Sequence, residues 1–256
     1  VSDTPLLSQL AVLLIVTLAF TSETALGFGS TIIAVALGSF FLPLDVLLAA
    51  FVPVNVLLSV VLVARTHVHA ELRLLGLKIL PWVLLGLPLG IYAASHVSEA
   101  ILKSIFGVFV LTLAALELRR SKAASSVNVA RPAAFLDRAL LTVAGVVHGA
   151  FATGGPMVVF VLGRTLGQDK ARFRATLSVL WLVLNSILLV SFVVKGRLTA
   201  SSGLTSALFG LSMLAGFAAG EVAFRRVSAV RFRIGVFAML GLAGALMLIT
   251  NLGKLR

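Results

Sequence analysis

"TALGFGSTIIA", residues 24–34, interrupts an apolar run that is too long for one membrane crossing. Gly27 and Gly29 weaken a helix, and Ser30 and Thr31 bring hydroxyls to a place where hydrocarbon side chains are expected. The flanks of this stretch form either one broken span or a hairpin that enters the membrane and returns.

The rest of the chain sets the context. It has 256 residues, 60% of them hydrophobic and 12% charged, with a mean hydropathy of +1.13. A soluble domain is nearer half apolar and a quarter charged. Apolar blocks recur at 6–20, 31–44, 46–64, 77–94 and 101–118, then at 139–152, 156–166, 179–194, 203–220 and 234–249. They approach the ~20 residues that cross a bilayer, so the class is an all-α polytopic membrane protein.

The 21 Lys and Arg against 9 Asp and Glu give a net charge of +12, which in a soluble chain points to nucleic acid. Here the basic residues fall between the apolar blocks, without an aromatic-interleaved stripe. They read as topology signals and contacts to membrane lipids, and no nucleic-acid partner is expected. The absence of cysteine excludes disulfides and thiolate metal sites. "VSDTPLLSQL" has no basic n-region, so a cleaved signal peptide is not expected, and the missing initiator Met reads as a trimmed chain.

The apolar pattern restarts after the polar stretch 119–138. At an offset of 125, "ALGFGSTIIAV" (25–35) lies over "AFATGGPMVVF" (150–160). At an offset of 130, "VNVLLSVV" (54–61) lies over "LNSILLVS" (184–191), and "GLPLG" (86–90) over "GFAAG" (216–220). "FGVF" over "IGVF" (234–237) completes the series. Matches in one order point to two homologous halves, 1–118 and 139–256, joined by a linker at 119–138.

Each half opens with a unit broken by glycines. Segments 6–20 and 31–44 make only ~22 Å and ~20 Å of helix, short of a ~30 Å hydrocarbon layer. Two arrangements fit. Single passes with unwound middles give eight passes and parallel halves. Re-entrant hairpins leave three transmembrane helices after each break and invert the halves. Single passes divide Lys and Arg 12 to 9 between the two sides. Hairpins place segments 65–78, 119–138, 164–174 and 225–233 together, giving 16 against 5. The positive-inside rule favours the hairpins, with those segments cytoplasmic, and inverted repeats around broken helices are a common transporter plan.

Irregular backbone within a membrane is tolerated where it is buried in protein or lines a cavity. A helix starting at Ser30 or Thr31 aims unpaired N–H groups and the positive dipole end at whatever precedes it. Pro156 suits the first turn of a second such helix. Gly27, Gly29, Gly154 and Gly155 allow close approach to the backbone, and Ser30, Thr31 and Thr153 add hydroxyls. Two such N-termini meeting at mid-depth form an anion site without a buried arginine. "GLPLG" and "GFAAG" read instead as close helix packing.

Glu23 and His148 match at the offset of 125, each just before its break. Ionisable residues in hydrocarbon are functional by default, so both are candidates for coupling proton movement to transport; alternatively they cap helices or sit near an interface. Asn55 and Asn185 are a second matched pair, followed by Ser59 and Ser191, suited to anion oxygens or to joining helices. Trp82 and Trp181 read as packing or interfacial residues. Arg164, Lys170, Arg172 and Arg174 read as surface anchors that also draw anions toward a mouth. "THVHAE" (66–71) has a metal-like look, but no second cluster completes a site, so no metal and no cofactor are expected.

With "GFGSTIIAVAL" and "ATGGPMVVFVL" opening two halves of about four units, the chain resembles the sulfite exporter TauE/SafE family. Ala50–Asn55, Ala175–Asn185, "GLPLG" and "GFAAG" extend the resemblance over nearly the whole length. The first motif has Ser30 and Thr31 where a fuller glycine run is expected, and the second has Thr153 before its glycines. The resemblance implies export of small sulfur-containing anions, sulfite or organosulfonates, across a bacterial inner membrane, by a non-enzymatic secondary transporter. Alternating access would work around the two breaks, with protons a candidate coupling ion and a homodimer a candidate assembly. No "GxxxxGK[ST]" motif is present, so nucleotide is not called for. The competing readings are a carrier or channel for another small organic anion, a membrane scaffold, and an intramembrane serine protease using Ser30 with a histidine. The protease lacks the glycine elbow after its serine.

Overall fold

The computed structural model describes residues 6–122, 134–166 and 169–226, together with 234, 238, 240–246, 248 and 249. Residues 123–133 of the expected linker, and 235–237, 239 and 247 of the last apolar block, lie outside the described residues. The described residues are helical, with no strand among them.

Helix α1 (Leu6–Leu26) is followed by the short α2 (Ser30–Gly38) and by α3 (Leu44–Thr66). After a 3-10 turn, α4 (Leu72–Leu74) runs through a π-helical turn at Leu75–Ile79 into α5 (Leu80–His96). Then come α6 (Glu99–Lys122), α7 (Ala134–Phe151), the short α8 (Gly155–Leu166), α9 (Lys170–Val194) and α10 (Ala200–Arg226). Seven helical segments among the described residues are long and apolar enough to cross a membrane. The protein is a multi-pass membrane protein.

The first apolar block extends further as helix than its composition suggests. The expected stop at Phe20 is overrun to Leu26 because Ser22, Glu23 and Thr24 are buried against other helices rather than exposed to lipid. Even so, α1 ends level with the middle of α3. Phe20 stacks on Phe51 at 4.8 Å and Asn55 donates to Glu23 at 2.7 Å. α2 then leads back. Its end is held by Lys103, which donates to the Ser39 carbonyl at 2.9 Å, near where Leu44 N–H donates to Glu99. α7 and α8 make the matching hairpin, closed by an ion pair between Arg164 on α8 and Asp137 at the start of α7.

Small residues set the helix pairings. A Cβ on Gly86 would come within 2.0 Å of the Thr142 carbonyl oxygen, and one on Gly90 within 2.0 Å of that of Val146. Gly145 and Gly149 return the contact against Val83 and Leu87, so α5 and α7 run parallel at backbone contact. Gly216 and Gly220 bring α10 parallel to α1 in the same way, against Thr17 and Thr24. Helices α3 and α9 cross the centre antiparallel. Asn55 meets Asn185 at mid-length, while Glu71, beyond the end of α3, pairs with Arg172 near the start of α9.

These directions gather Arg65, Arg73, Arg138, Arg164, Arg172 and Arg225 at one end of the bundle. At the other, the cations among the described residues are Lys103, Lys195 and Arg197.

Candidate functional site between the two helix breaks

The two breaks are built alike. Gly27, at φ 83°, ends α1 by donating its N–H to the Glu23 carbonyl at 2.7 Å. Ala152 ends α7 with φ 55° and the same 2.7 Å bond to the His148 carbonyl. Both are left-handed caps, where a residue with a Cβ costs about 1 kcal/mol or more relative to glycine. Gly29, at φ 100°, then reverses the chain into α2. Helical bonding in α2 begins with Ile33 N–H on the Gly29 carbonyl, so the N–H groups of Ser30, Thr31 and Ile32 have no partner within the helix. In α8 it begins with Val158 on Gly154, which leaves those of Gly155 and Met157 in the same state.

The two N-termini face a small cavity of about 20 Å³ lined mostly by buried residues. Glu23, Gly29, Ser30, Thr31 and Asn55 line it from one side, and Thr153, Gly155 and Asn185 from the other. Of the residues singled out in the sequence, Gly27, Gly154 and His148 stand outside this lining. Gly27 lies against the Arg174 backbone, and Gly154 is pressed on α7, where a Cβ would come within 2.3 Å of the Ala144 carbonyl oxygen. His148 stacks on Trp181 and accepts the Gly154 N–H at Nδ1, which leaves Nε2 to carry its proton in the neutral ring. Three lining residues were not anticipated: Phe28, Ala152 and Trp181.

Trp181 packs as its sequence context suggests, buried in the apolar core. Its indole N–H also donates to the Gly27 carbonyl at 2.7 Å, tying α9 to the opposite break, and its ring forms part of the cavity wall. Arg174, by contrast, is no surface anchor. It is 8% exposed and donates to the Thr24 carbonyl at the end of α1 and to Glu221 on α10, at 3.0 and 2.8 Å. The positive charge there satisfies carbonyls that the end of α1 leaves unpaired.

A polar chain crosses the cavity between the central helices. Ser30 Oγ donates to the Glu23 carboxylate, and Asn55 Nδ2 donates to the same oxygen at 2.7 Å and to Ser30 Oγ at 3.0 Å. Asn185 Nδ2 then donates to Asn55 Oδ1 at 2.6 Å. The carboxylate fixes this order. It accepts only, so Asn55 must turn its NH2 toward it and its carbonyl toward Asn185. Asn185 Oδ1 and Glu23 Oε1 end as buried acceptors without partners, and His148 Nε2 is a third buried atom without one. Buried acceptors without a protein partner suit a group that brings a proton to them.

No serine–histidine dyad forms among the described residues, because Ser30 is bonded to Glu23 and His148 to Gly154. In "THVHAE", His67 Nδ1 lies 3.2 Å from the Val63 carbonyl and Glu71 pairs with Arg172.

The family model of the sulfite exporter TauE/SafE matches residues 12–247, a span that includes both breaks and both central helices. The chain belongs to the TauE/SafE family. No curated protein and no solved structure matches it. Every cavity-lining residue falls within the TauE/SafE match, including Phe28, Ala152 and Trp181.

Proposed function

We propose that this TauE/SafE chain is a secondary transporter that exports small sulfur-containing anions across a bacterial inner membrane, by alternating access around the cavity between the two breaks. The observation that carries the proposal is the convergence of two half-helix N-termini on one buried cavity. Unpaired N–H groups and dipole ends hold an anion without a fixed counter-charge.

The halves 1–118 and 139–256 act as inverted repeats, and residues 119–138 join them at the cytoplasmic, arginine-rich end. Antiparallel contact of the matched helices α3 and α9 supports this, because a two-fold axis relating them must lie in the membrane plane. So does the exchange of partners, α1 with α10 and α7 with α5. Each hairpin rests on a helix of the other half, so rocking one pair against the other opens the cavity to alternate sides.

The cavity is small and takes about one water-sized group. Sulfite, with four heavy atoms, fits after a small opening, which favours it over bulkier sulfonates. Glu23 meanwhile holds donors that an anion needs, Ser30 Oγ and Asn55 Nδ2. An entering anion displaces the carboxylate, and a proton on Glu23 removes their mutual repulsion. Binding one anion therefore takes up one proton. An inside-negative potential favours outward movement by ~2.3 kcal/mol per charge per 100 mV. The proton cancels one charge, and a sulfite dianion keeps one that the potential drives.

The test is efflux of sulfite from loaded proteoliposomes containing an internal pH dye. Sulfite efflux should alkalinise the lumen, and Glu23→Gln should carry sulfite without proton movement. Flux of sulfite and of small sulfonates no faster than from protein-free liposomes would sink the proposal.

A further inference from the structure

The bundle also carries a larger groove of about 620 Å³, separate in its lining from the cavity between the breaks, where α5 and α9 end at the cation-poor face. Leu87, Pro88, Ile91 and Ile187 make its wall. At its mouth Lys195 and Arg197, from the turn after α9, converge on Ser95. Lys195 Nζ donates to Ser95 Oγ at 2.7 Å and Arg197 Nη2 lies 3.5 Å from the same oxygen. Neither cation has a carboxylate within ion-pair distance among the described residues. Elsewhere Lys103, Arg164 and Arg174 each pair with a carboxylate, whereas Arg65 and Arg138 lie over the rings of Phe217 and Trp82. Partial burial, and then the neighbouring Arg197 charge, hold the Lys195 ammonium below the ordinary lysine range. Two like charges thus lie side by side with no carboxylate of the protein to offset them.

We propose that this groove binds an anionic phospholipid, its phosphate between Lys195, Arg197 and Ser95 and one acyl chain along Pro88, Ile91 and Ile187. Charge and position together select that occupant. The cations sit just past the end of a membrane-spanning helix, where headgroups lie, and the apolar wall runs from them back toward the hydrocarbon. Tyr92 stacks on His96 at the rim at 4.0 Å, an aromatic at the depth where such side chains meet headgroups. A free inorganic anion has no use for the apolar wall.

The experiment is native mass spectrometry of the full chain in neutral detergent, titrated with phosphatidylglycerol, phosphatidylcholine or inorganic phosphate. Phosphatidylglycerol should bind in preference to phosphatidylcholine. Each surface cation contributes about fivefold to anionic-lipid binding, so Lys195→Ala with Arg197→Ala should weaken it roughly 30-fold. The exchange Lys195→Arg with Arg197→Lys should retain it. Both cations are at the surface, so the double alanine variant should melt with the wild type in the absence of lipid. Equal phosphatidylglycerol affinity in the alanine variant would overturn the proposal. Displacement of the lipid by millimolar phosphate would also overturn it, in favour of a free-anion site.

Discussion

Replacing Gly155 by alanine should separate the transport role of the breaks from their structural role. A Cβ built on Gly155 lies 3.7 Å from Phe28 Cβ and 3.8 Å from Trp181 Cζ2, which is ordinary contact, so the fold has room for it. Gly155 begins α8, where alanine is a better helix former by up to about 1 kcal/mol, so the variant should melt at or slightly above the wild-type temperature. The new methyl sits between two walls of the 20 Å³ cavity and takes about the space of the water that fits there. An anion then loses close approach to the α8 N–H groups and meets an overfilled site, together costing about 2–4 kcal/mol. That corresponds to a roughly 30- to 1000-fold loss of sulfite flux at subsaturating concentration. Gly154→Ala is the contrast. Its Cβ would meet the Ala144 carbonyl oxygen at 2.3 Å, so it should lose stability along with flux. The assay is initial efflux from proteoliposomes beside a thermal melt of the same preparation. A Gly155→Ala protein with wild-type flux would refute the placement of the anion at the α8 N-terminus.

Other perturbations follow from the same geometry. Ala152→Gly removes the Cβ from a left-handed cap and should raise stability by about 0.5–1 kcal/mol; a lower melting temperature would show that the residue is not strained. Arg174→Met leaves Glu221 and the Thr24 carbonyl without their partner and should destabilise by about 3 kcal/mol, the low end for breaking a buried pair because Glu221 keeps some exposure. A melting curve unchanged from wild type would contradict it. Gly86→Leu drives a side chain into the α7 backbone and should prevent folded protein from accumulating, whereas Gly163→Leu, which meets nothing within 4 Å, should be tolerated. Size-exclusion profiles of the two variants would decide that pair.

Much of the candidate site's make-up was legible because polar and glycine residues stand out in an apolar background. The breaks at 27–31 and 153–156, the match of Glu23 with His148 and that of Asn55 with Asn185 all come from spacing alone. Their connections do not. Glu23 bonds to Ser30, seven residues on, and to Asn55 on another helix, and no local pattern encodes that partner choice. The end of α1 was read too early because Ser22 to Thr24 look like a stop signal until other helices bury them. Ala152 concealed its left-handed conformation, since alanine carries none of the warning that Gly27 gives at the aligned position. Arg174 looked like its basic neighbours, and only the packing of α1 and α10 around it shows that it faces inward. Gly145 and Gly149 sit in a stretch read for His148, and their packing role needed the partner helix α5.

Whether an anion sits between the two helix N-termini can be seen in an experimental structure with selenite, whose selenium marks its position by anomalous scattering. One selenium site should lie within hydrogen-bonding reach of the Ser30 and Gly155 N–H groups, with the Glu23 carboxylate moved off Ser30. Selenium only at surface cations, with Glu23 still bonded to Ser30 and Asn55 at saturating selenite, would contradict that placement.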